Sequence, residues 1–291
     1  MKFRIFPILI VLNILVLSIF FISCNHSTAH KKIETNSDSL KNLSVKIGVA
    51  LYSFNHFSFE EAVRKSKSTG VNYVEGFSFH ELGESYRNER IANLPEQDLL
   101  QLKEILDSNK IKMVSMYADA KTLAEWEQLF RQGKRLGLEF LVGEPDISFL
   151  DDINRLAGEN NIKFAIHEHA KGISKYWHPD SALSAIKDRG NLKICADIGH
   201  WVRSGLDPVE CLKKLEGNII SLHVKDLDSF GNINAKDVNI SNGIIEYPKV
   251  MAELKRQAFS GYIFIECEHD WENNLKDVQE SVNYITKISQ E

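Results

Sequence analysis

The sequence predicts an α/β protein of the (β/α)8 type, a TIM barrel, and three observations predict it. From residue 45 onward, short β-rich apolar runs alternate with amphipathic helical stretches about eight times, with no change of composition. Roughly 245 residues remain after an apolar leader and a polar tether, the usual size of one such barrel. Four of the runs turn from apolar to His, Asp and Glu at their C-terminal ends: Phe164-Ala-Ile-His-Glu-His169, Cys195-Ala-Asp-Ile-Gly-His200, Ser221-Leu-His-Val-Lys-Asp226 and Phe264-Ile-Glu-Cys-Glu-His269. Strand ends of that kind are where such barrels carry their active sites. No Gly-x-Gly-x-x-Gly follows the first strand, so an open dinucleotide-binding sheet lacks its main support.

The elements follow in order. Lys2 and Arg4 precede an apolar run from Ile5 to Ile22 that stops at Ser23-Cys24, the pattern of an export signal. Roughly 18 apolar residues are also near the minimum for a spanning helix, so an uncleaved anchor is the alternative. The segment Phe21-Ile-Ser-Cys24 resembles a bacterial lipoprotein cleavage site, with Phe21 where Leu is usual. That resemblance implies a signal peptide over 1–23 and a lipidated Cys24. A polar tether over 24–44 and a catalytic domain over 45–291 follow, the protein being periplasmic or at the cell surface and touching membrane only through its N-terminal anchor.

Val45–Tyr52 is the first strand, and Ser58-Phe-Glu-Glu61 is a capping-box pattern opening a helix that stops at Gly70. Val71–Phe77 pairs with a helix from Pro95 to Ser108 whose Leu99, Leu102, Ile105 and Leu106 share a face. Lys112–Tyr117 with a helix over Thr122–Leu136, and Leu138–Gly143 with one over Asp151–Asn160, complete the first half. The four polar-ended runs are strands five to eight. Their helices lie near Pro179–Asp188, Pro208–Leu215, Pro248–Gln257 and Asn274–Ile288, three of them opened by a proline suited to the first helical turn. The connections 78–94 and 227–246 are long for structureless loops and read as lids.

Composition narrows the function. With 43% hydrophobic and 26% charged residues and a net charge of −5, the chain offers no basic footprint for nucleic acid. Cys195, Cys211 and Cys267 form an odd set within or near apolar segments, and read as small buried hydrophobes rather than a disulfide framework.

Strand alternation tests whether the polar residues converge. His167 shares a face with Ala165, Asp197 with Cys195, His223 with Ser221 and Lys225, and Glu266 with Phe264 and Glu268, each opposite the β-branched set. His167, Asp197, His223 and Glu266 are therefore expected to meet at the mouth. Two imidazoles and two carboxylates suit one divalent ion such as Mn²⁺, Co²⁺ or Zn²⁺ better than Ca²⁺. A set of individually satisfied buried residues is the structural alternative. His167-Glu-His169 sits on a strand, so no HExxH helix is present.

At these residues the chain resembles the sugar isomerase/epimerase superfamily of xylose isomerase-like TIM barrels, over roughly Lys46–Ile288. The resemblance rests on Asp197-Ile-Gly-His200, His223-Val-Lys-Asp226 and Ile265-Glu-Cys-Glu268. It implies one divalent ion held by a Glu on strand five, an Asp on six, a His on seven and a Glu on eight. Asp197, His223 and Glu266 match, and His167 stands where the strand-five Glu is expected. In the epimerases two glutamates exchange the proton on opposite faces of the substrate, so this replacement keeps a ligand and alters the acid–base pair. The chain also resembles an exported branch from Bacteroidota-type bacteria that includes 3-keto-glycoside lyases.

The chemistry implied is removal of a proton next to a carbonyl, with metal stabilising the developing charge. Glu144, Glu168 or His169 is expected to supply the base, and Lys225, paired with Glu268 or Asp226, or His200 to donate to an oxygen. Trp177, Trp201 and Trp271 follow strand ends and, with Tyr52 and Tyr176, suit the C–H faces of a sugar, whereas Trp126 has the spacing of a helix packing residue. No Lys or Arg cluster at the strand ends offers a phosphate clamp. The expected activity is that of a metal-dependent sugar isomerase or epimerase acting on a small neutral sugar. A keto-glycoside 1,2-lyase using the same site is the alternative, and a non-catalytic sugar-binding lipoprotein the reading from another class.

Overall fold

A computed structural model describes residues 44–291. The signal assigned to 1–23, Cys24 and all but the last residue of the tether lie outside the described residues. Eight parallel strands close a barrel: β1 Lys46–Ala50, β2 Tyr73–Phe77, β3 Lys112–Tyr117, β4 Phe140–Gly143, β5 Lys163–His167, β6 Leu192–Asp197, β7 Ile219–Val224 and, after two short strands described below, β10 Tyr262–Ile265. β1 closes on β10 with Lys46 opposite Tyr262. Around them lie α1 Phe59–Ser68, α2 Glu96–Ser108, α3 Leu123–Leu136, α4 Leu150–Asn160, α5 Pro179–Ile186, α6 Ile198–Arg203, α7 Pro208–Lys214, α8 Tyr247–Arg256 and α9 Leu275–Gln290. The fold is the predicted (β/α)8 barrel. No helix among the described residues is long and apolar enough to cross a membrane.

Local chemistry explains the helix starts. Ser58 accepts from the Glu61 amide at 3.4 Å, and Thr122 with Glu125 forms a full capping box. Gly137 ends α3 at φ +75, a left-handed position that glycine takes without a Cβ penalty. The strand faces separate cleanly. Phe164 points outward, edge-on to Trp126 at 5.6 Å, which bears out the packing role expected of Trp126. Inward, Tyr262 meets Tyr73 at 5.5 Å and Phe140 at 5.8 Å near the N-terminal ends of their strands. That aromatic layer fills the barrel interior beneath the polar mouth. Cys195, Cys211 and Cys267 are all buried and free.

The structure moves several predicted boundaries. The strands are shorter at their C-terminal ends, so Glu168 and His169, Lys225, and Glu266 to Glu268 follow their strands directly. His200 is helical rather than extended. Asp197 caps α6, its carboxylate accepting from the His200 amide at 2.9 Å, and the chain turns into helix within one residue of the strand. The long connections are not structureless. In 227–246, β8 Asp226–Leu227 pairs with β9 Asp237–Val238, and Asp226 accepts from the amides of Leu227, Ser241, Gly243 and Ile245 at 2.9–3.1 Å. A Cβ on Gly243 would stand 2.3 Å from the Asp226 carboxylate, so only glycine fits there. In 78–94, Leu82, Tyr86 and Ile91 are buried, and Gln132 on α3 donates to the carbonyls of Ile91, Ala92 and Leu94.

Candidate active site

The C-terminal strand ends enclose a cavity of about 400 Å³ that His167, His223 and Glu266 line from its floor. The donor atoms of Asp197, His223 and Glu266 lie within 4.8 Å of one another, and His167, Cys195 and His223 form a second such group. His167 Nε2 reaches 3.2 Å from His223 Nδ1 and 3.4 Å from Asp197 Oδ2, while Glu266 Oε2 is 3.3 Å from His223 Nδ1. The four expected ligands thus meet. Cys195, expected only as a small buried hydrophobe, puts its sulfur beside two of them.

Hydrogen bonds fix which nitrogens face inward. His223 Nε2 donates to Glu75 Oε1 at 2.7 Å, and the other oxygen of Glu75 accepts from Ser115 Oγ at 2.7 Å. His167 Nδ1 donates to Glu144 Oε1 at 2.9 Å. Each ring therefore turns its second nitrogen toward the other. Two lone pairs at 3.2 Å repel unless a proton or a metal cation lies between them. Asp197 Oδ2, fully buried beside them, makes no hydrogen bond and is held by ion-pair contacts with Lys225 at 3.3 Å and His167 at 3.4 Å. A carboxylate behind each inward-facing imidazole is the usual support of a metal-ligating histidine. The donor set fits a divalent ion.

The electrostatics agree. Burial opposes charge on His167, but Asp197 and Glu144 outweigh it and hold its pKa up at about 10. Burial likewise opposes charge on His223, where Cys195, Glu266 and Glu75 raise the pKa. Burial opposes ionisation of Asp197 and Glu266, yet Lys225 and the neighbouring imidazoles lower both pKa values. The pocket thus attracts positive charge. Lys225, fully buried, supplies one such charge, 2.6 Å from Glu266 Oε2, 3.3 Å from Asp197 Oδ2 and in contact with Glu268. Burial works against its ammonium, and those three carboxylates keep it protonated.

Glu144 Oε1 also accepts from the backbone amide of His169 at 3.1 Å and from its Nδ1. Burial would raise the pKa of Glu144, but His167 and His169 depress it, so this carboxylate is a weak proton acceptor. His169 and His200 line the cavity with Glu268 and Tyr52. Burial lowers the pKa of His200 well below the usual imidazole value, and Arg203 Nη1 lies 3.5 Å from its Nδ1. The guanidinium donates, so Nδ1 is an acceptor and the proton of the neutral ring sits on Nε2. Arg203 also pairs with buried Asp237 of β9, tying the 227–246 connection to this histidine.

The expected tryptophan wall is not there. Trp201 is fully buried because residue 201 belongs to α6, and it has no face to offer a sugar. Trp177 stands under Lys171, 5.1 Å from its ammonium, and does not line the cavity. Trp271 stacks on His56 and backs Tyr52 edge-on at 5.6 Å, outside the lining. Tyr176 is buried, its hydroxyl donating to the Pro145 carbonyl at 2.7 Å. The aromatic lining comes from the opposite side, from Phe77, Phe79 and Tyr117 with Tyr52, and from Trp126 of α3, which reaches the cavity besides packing on Phe164. Glu168 points away from the cavity. It is fully buried with neither oxygen hydrogen-bonded, and burial raises its pKa well above the carboxylate range.

Glu75, Tyr117 and Phe79 were not predicted as site residues. Glu75 carried a signal, a charge between Val74 and Gly76 on the inward face of an otherwise apolar strand.

Comparison with known proteins adds to this geometry. Residues 63–288 match the sequence model of the xylose isomerase-like TIM barrel family. An inosose dehydratase from Clostridium botulinum is 26% identical over 136 residues, 42% of this chain and 45% of that protein. One from Mesomycoplasma hyopneumoniae is 22% identical over 157 residues, 48% of this chain and 52% of that protein. The chain thus spans about half the length of these curated relatives. Among solved structures, an uncharacterised protein from Parabacteroides distasonis is 29% identical, with a TM-score of 0.68 over 84% of this chain and 99% of that one. The IOLI protein, solved with a zinc atom, shares the fold at 16% identity and a TM-score of 0.68, over 84% of this chain and 96% of its own.

Proposed function

The chain belongs to the xylose isomerase-like TIM barrel family, and from that premise we propose that it is a divalent-metal-dependent carbohydrate enzyme that removes a proton from the carbon beside a carbonyl of a keto-sugar. The observation that carries this reading is the convergence of His167 Nε2 and His223 Nδ1 at 3.2 Å, each ring backed by a carboxylate, beside the buried carboxylates of Asp197 and Glu266. His167, Asp197, His223 and Glu266 would hold the ion. When bound, a divalent ion polarises the carbonyl and stabilises the negative charge that develops as the proton leaves.

The remaining roles follow from the hydrogen bonds. His169 gives its Nδ1 proton to Glu144, which leaves Nε2 as the acceptor for the substrate proton. Glu144 orients that ring and His167 together. Lys225, expected as a donor to substrate, does not line the cavity; its buried ammonium instead holds Asp197, Glu266 and Glu268 in place. His200 offers its Nε2 proton from the α6 side, and Tyr117, whose phenol burial keeps protonated, offers a hydroxyl from β3.

Returning the proton to the same or the neighbouring carbon gives isomerisation or epimerisation. Expelling the substituent on the next carbon gives elimination. The second outcome is favoured by one observation: imidazoles, His167 and His169, stand at the end of strand five, so the site does not present two carboxylates placed to exchange one proton. The name dehydratase carried by the curated relatives denotes loss of water, an elimination of the same type. A 3-keto-glycoside lyase activity is the form of it that we propose.

Incubating the Mn²⁺-loaded protein with a 3-keto-glucoside, and separately with free ketoses, and following products by NMR tests the reading. Release of aglycone identifies elimination, and interconversion of ketoses without release identifies isomerisation. Neither outcome with Mn²⁺, Co²⁺ or Zn²⁺ would sink the proposal. An exported, lipidated protein at the periplasmic face or cell surface is part of the same proposal, resting on the sequence of residues 1–24.

A further inference from the structure

The cavity has two chemically distinct halves. One carries the imidazoles and carboxylates already described. The other, which Ala118, Asp119 and Lys121 also line, is formed by the rings of Tyr52, Phe77, Phe79, Tyr117 and Trp126. Their mutual angles distinguish a cup from a platform. Phe77 and Tyr117 stack at 15° and 5.7 Å, while Phe79 crosses them at 60° and 74°. Tyr52 meets Phe79 at 83° and Phe77 at 40°, and Trp271 closes the outside of Tyr52. A pyranose turns one flat C–H face to a single ring and hydroxyls to everything else. Rings set at steep angles around one space instead offer a guest ring both stacked and edge-on contacts, the arrangements aromatic pairs prefer.

Size points the same way. A volume of about 400 Å³ holds the equivalent of about 13 waters at ~30 Å³ each. Covalently bonded atoms pack more tightly than waters, so a free hexose over the metal-ligand cluster leaves the aromatic half empty. Filling it with a hydroxylated group would strip hydrogen bonds from that group without replacing them. Beyond the cup, the rim changes again, to the ion pair Lys121–Asp119 at 2.6 Å.

We infer that the cup of Tyr52, Phe77, Phe79 and Tyr117 is a leaving-group subsite, and that the substrate is a keto-glycoside bearing an aryl aglycone. This rests on the proton-abstraction reading above and names its substrate class. The step balances as follows. The carbon between the ketone and the anomeric carbon loses its proton to His169 Nε2. The freed electron pair forms a carbon–carbon double bond, and the bond from the anomeric carbon to the aryl oxygen breaks. That oxygen leaves with the bonding pair as a phenoxide and takes a proton from solvent water to depart as a phenol. The cup lies beside the base and places the departing ring against aromatic faces as its charge is neutralised.

The test uses the Mn²⁺-loaded protein with phenyl and methyl 3-keto-β-D-glucopyranosides, and the unreactive phenyl and methyl β-D-glucopyranosides as binding probes. The expected result is a KM for the phenyl ketone at least tenfold below that for the methyl ketone, with the same order in affinity for the unreactive pair. Phenol is intrinsically the better leaving group, so the decisive quantity is a change in ratio. In Phe79→Ala the phenyl-to-methyl ratio of affinities should fall at least fivefold, and Phe79→Tyr, which keeps the ring and guards against misfolding of the alanine variant, should retain it. Equal affinities in the wild type, or an unchanged ratio in Phe79→Ala, would overturn the subsite. Solvent deuterium entering the carbon beside the ketone reports on the reaction separately. Exchange without phenyl preference overturns the subsite alone, phenyl preference without exchange or phenol release overturns the reaction reading alone, and absence of both overturns the two together.

Discussion

Replacing Glu75 should weaken the metal centre from behind, without touching a ligand. Its carboxylate takes the Nε2 proton of His223 at 2.7 Å and the hydroxyl proton of Ser115 at 2.7 Å, and the side chain is fully buried. In Glu75→Ala both donors lose their acceptor in the barrel interior. At about 1–3 kcal/mol for each orphaned group, the variant should be less stable by about 2–6 kcal/mol unless water enters. Glu75→Gln separates metal binding from folding. Its amide oxygen can still accept from His223 while its NH2 faces Ser115 Oγ, so stability should change by only about 1 kcal/mol. The ligand loses its anionic support, and loss of such a partner costs about 10- to 100-fold in metal affinity, or about 1.4–2.8 kcal/mol. Competition for Mn²⁺ or Zn²⁺ with a chelating dye measures the affinity, and chemical denaturation the stability. A Glu75→Gln protein that binds metal as tightly as the wild type would refute the assignment of His223 as a carboxylate-supported ligand.

Three other perturbations separate the remaining roles. His169→Gln should lower kcat by about 10²- to 10⁴-fold while metal affinity stays near that of the wild type; parallel loss of both in stopped-flow and dye-competition assays would move His169 from base to ligand. Glu168, whose pKa is raised by burial, holds its proton in the folded state at a pH where the unfolded chain has released it. Its favourable contribution is therefore complete below the unfolded pKa and is lost as pH rises toward the folded one. Glu168→Gln should accordingly gain in Tm relative to wild type between pH 5 and pH 8, and a gain that shrinks over that interval contradicts the burial assignment. Cys24→Ser should abolish incorporation of labelled palmitate in a bacterial host, and retained label on the full chain would remove the lipoprotein assignment.

Much of the barrel was legible because its two periods are local. The alternation that put Phe164 outside and His167 inside is a property of the chain itself, and the capping-box pattern at Ser58 marks a helix start that the structure reproduces within one residue. The convergence of His167, Asp197, His223 and Glu266 followed from the same alternation. What the sequence left hidden depends on where a strand stops. Asp197 serves as an inward-facing carboxylate and as the cap of α6 at once, which carried Trp201 into the core and His200 onto a helix. The aromatic lining was sought in Tyr52 and in tryptophans after strands five, six and eight, and it comes from Tyr52, from Phe77, Phe79 and Tyr117 at the ends of the second and third strands and the loop after the second, and from Trp126 of α3. Only the closed ring of strands brings these into one cavity with His167, His223 and Glu266. The partner of Glu75 lies 148 residues away, a pairing that spacing along the chain does not encode.

Metal titration with proton exchange as the readout addresses the central claim. Protein stripped with EDTA is titrated with Mn²⁺ in D2O while NMR follows the carbon-bound proton beside the ketone of a 3-keto-glucoside. The expected result is no exchange in the stripped protein, recovery that saturates at one equivalent of metal, and no recovery in His223→Ala. Exchange at the full rate without metal, or in His223→Ala, would contradict a metal centre built on His167, Asp197, His223 and Glu266.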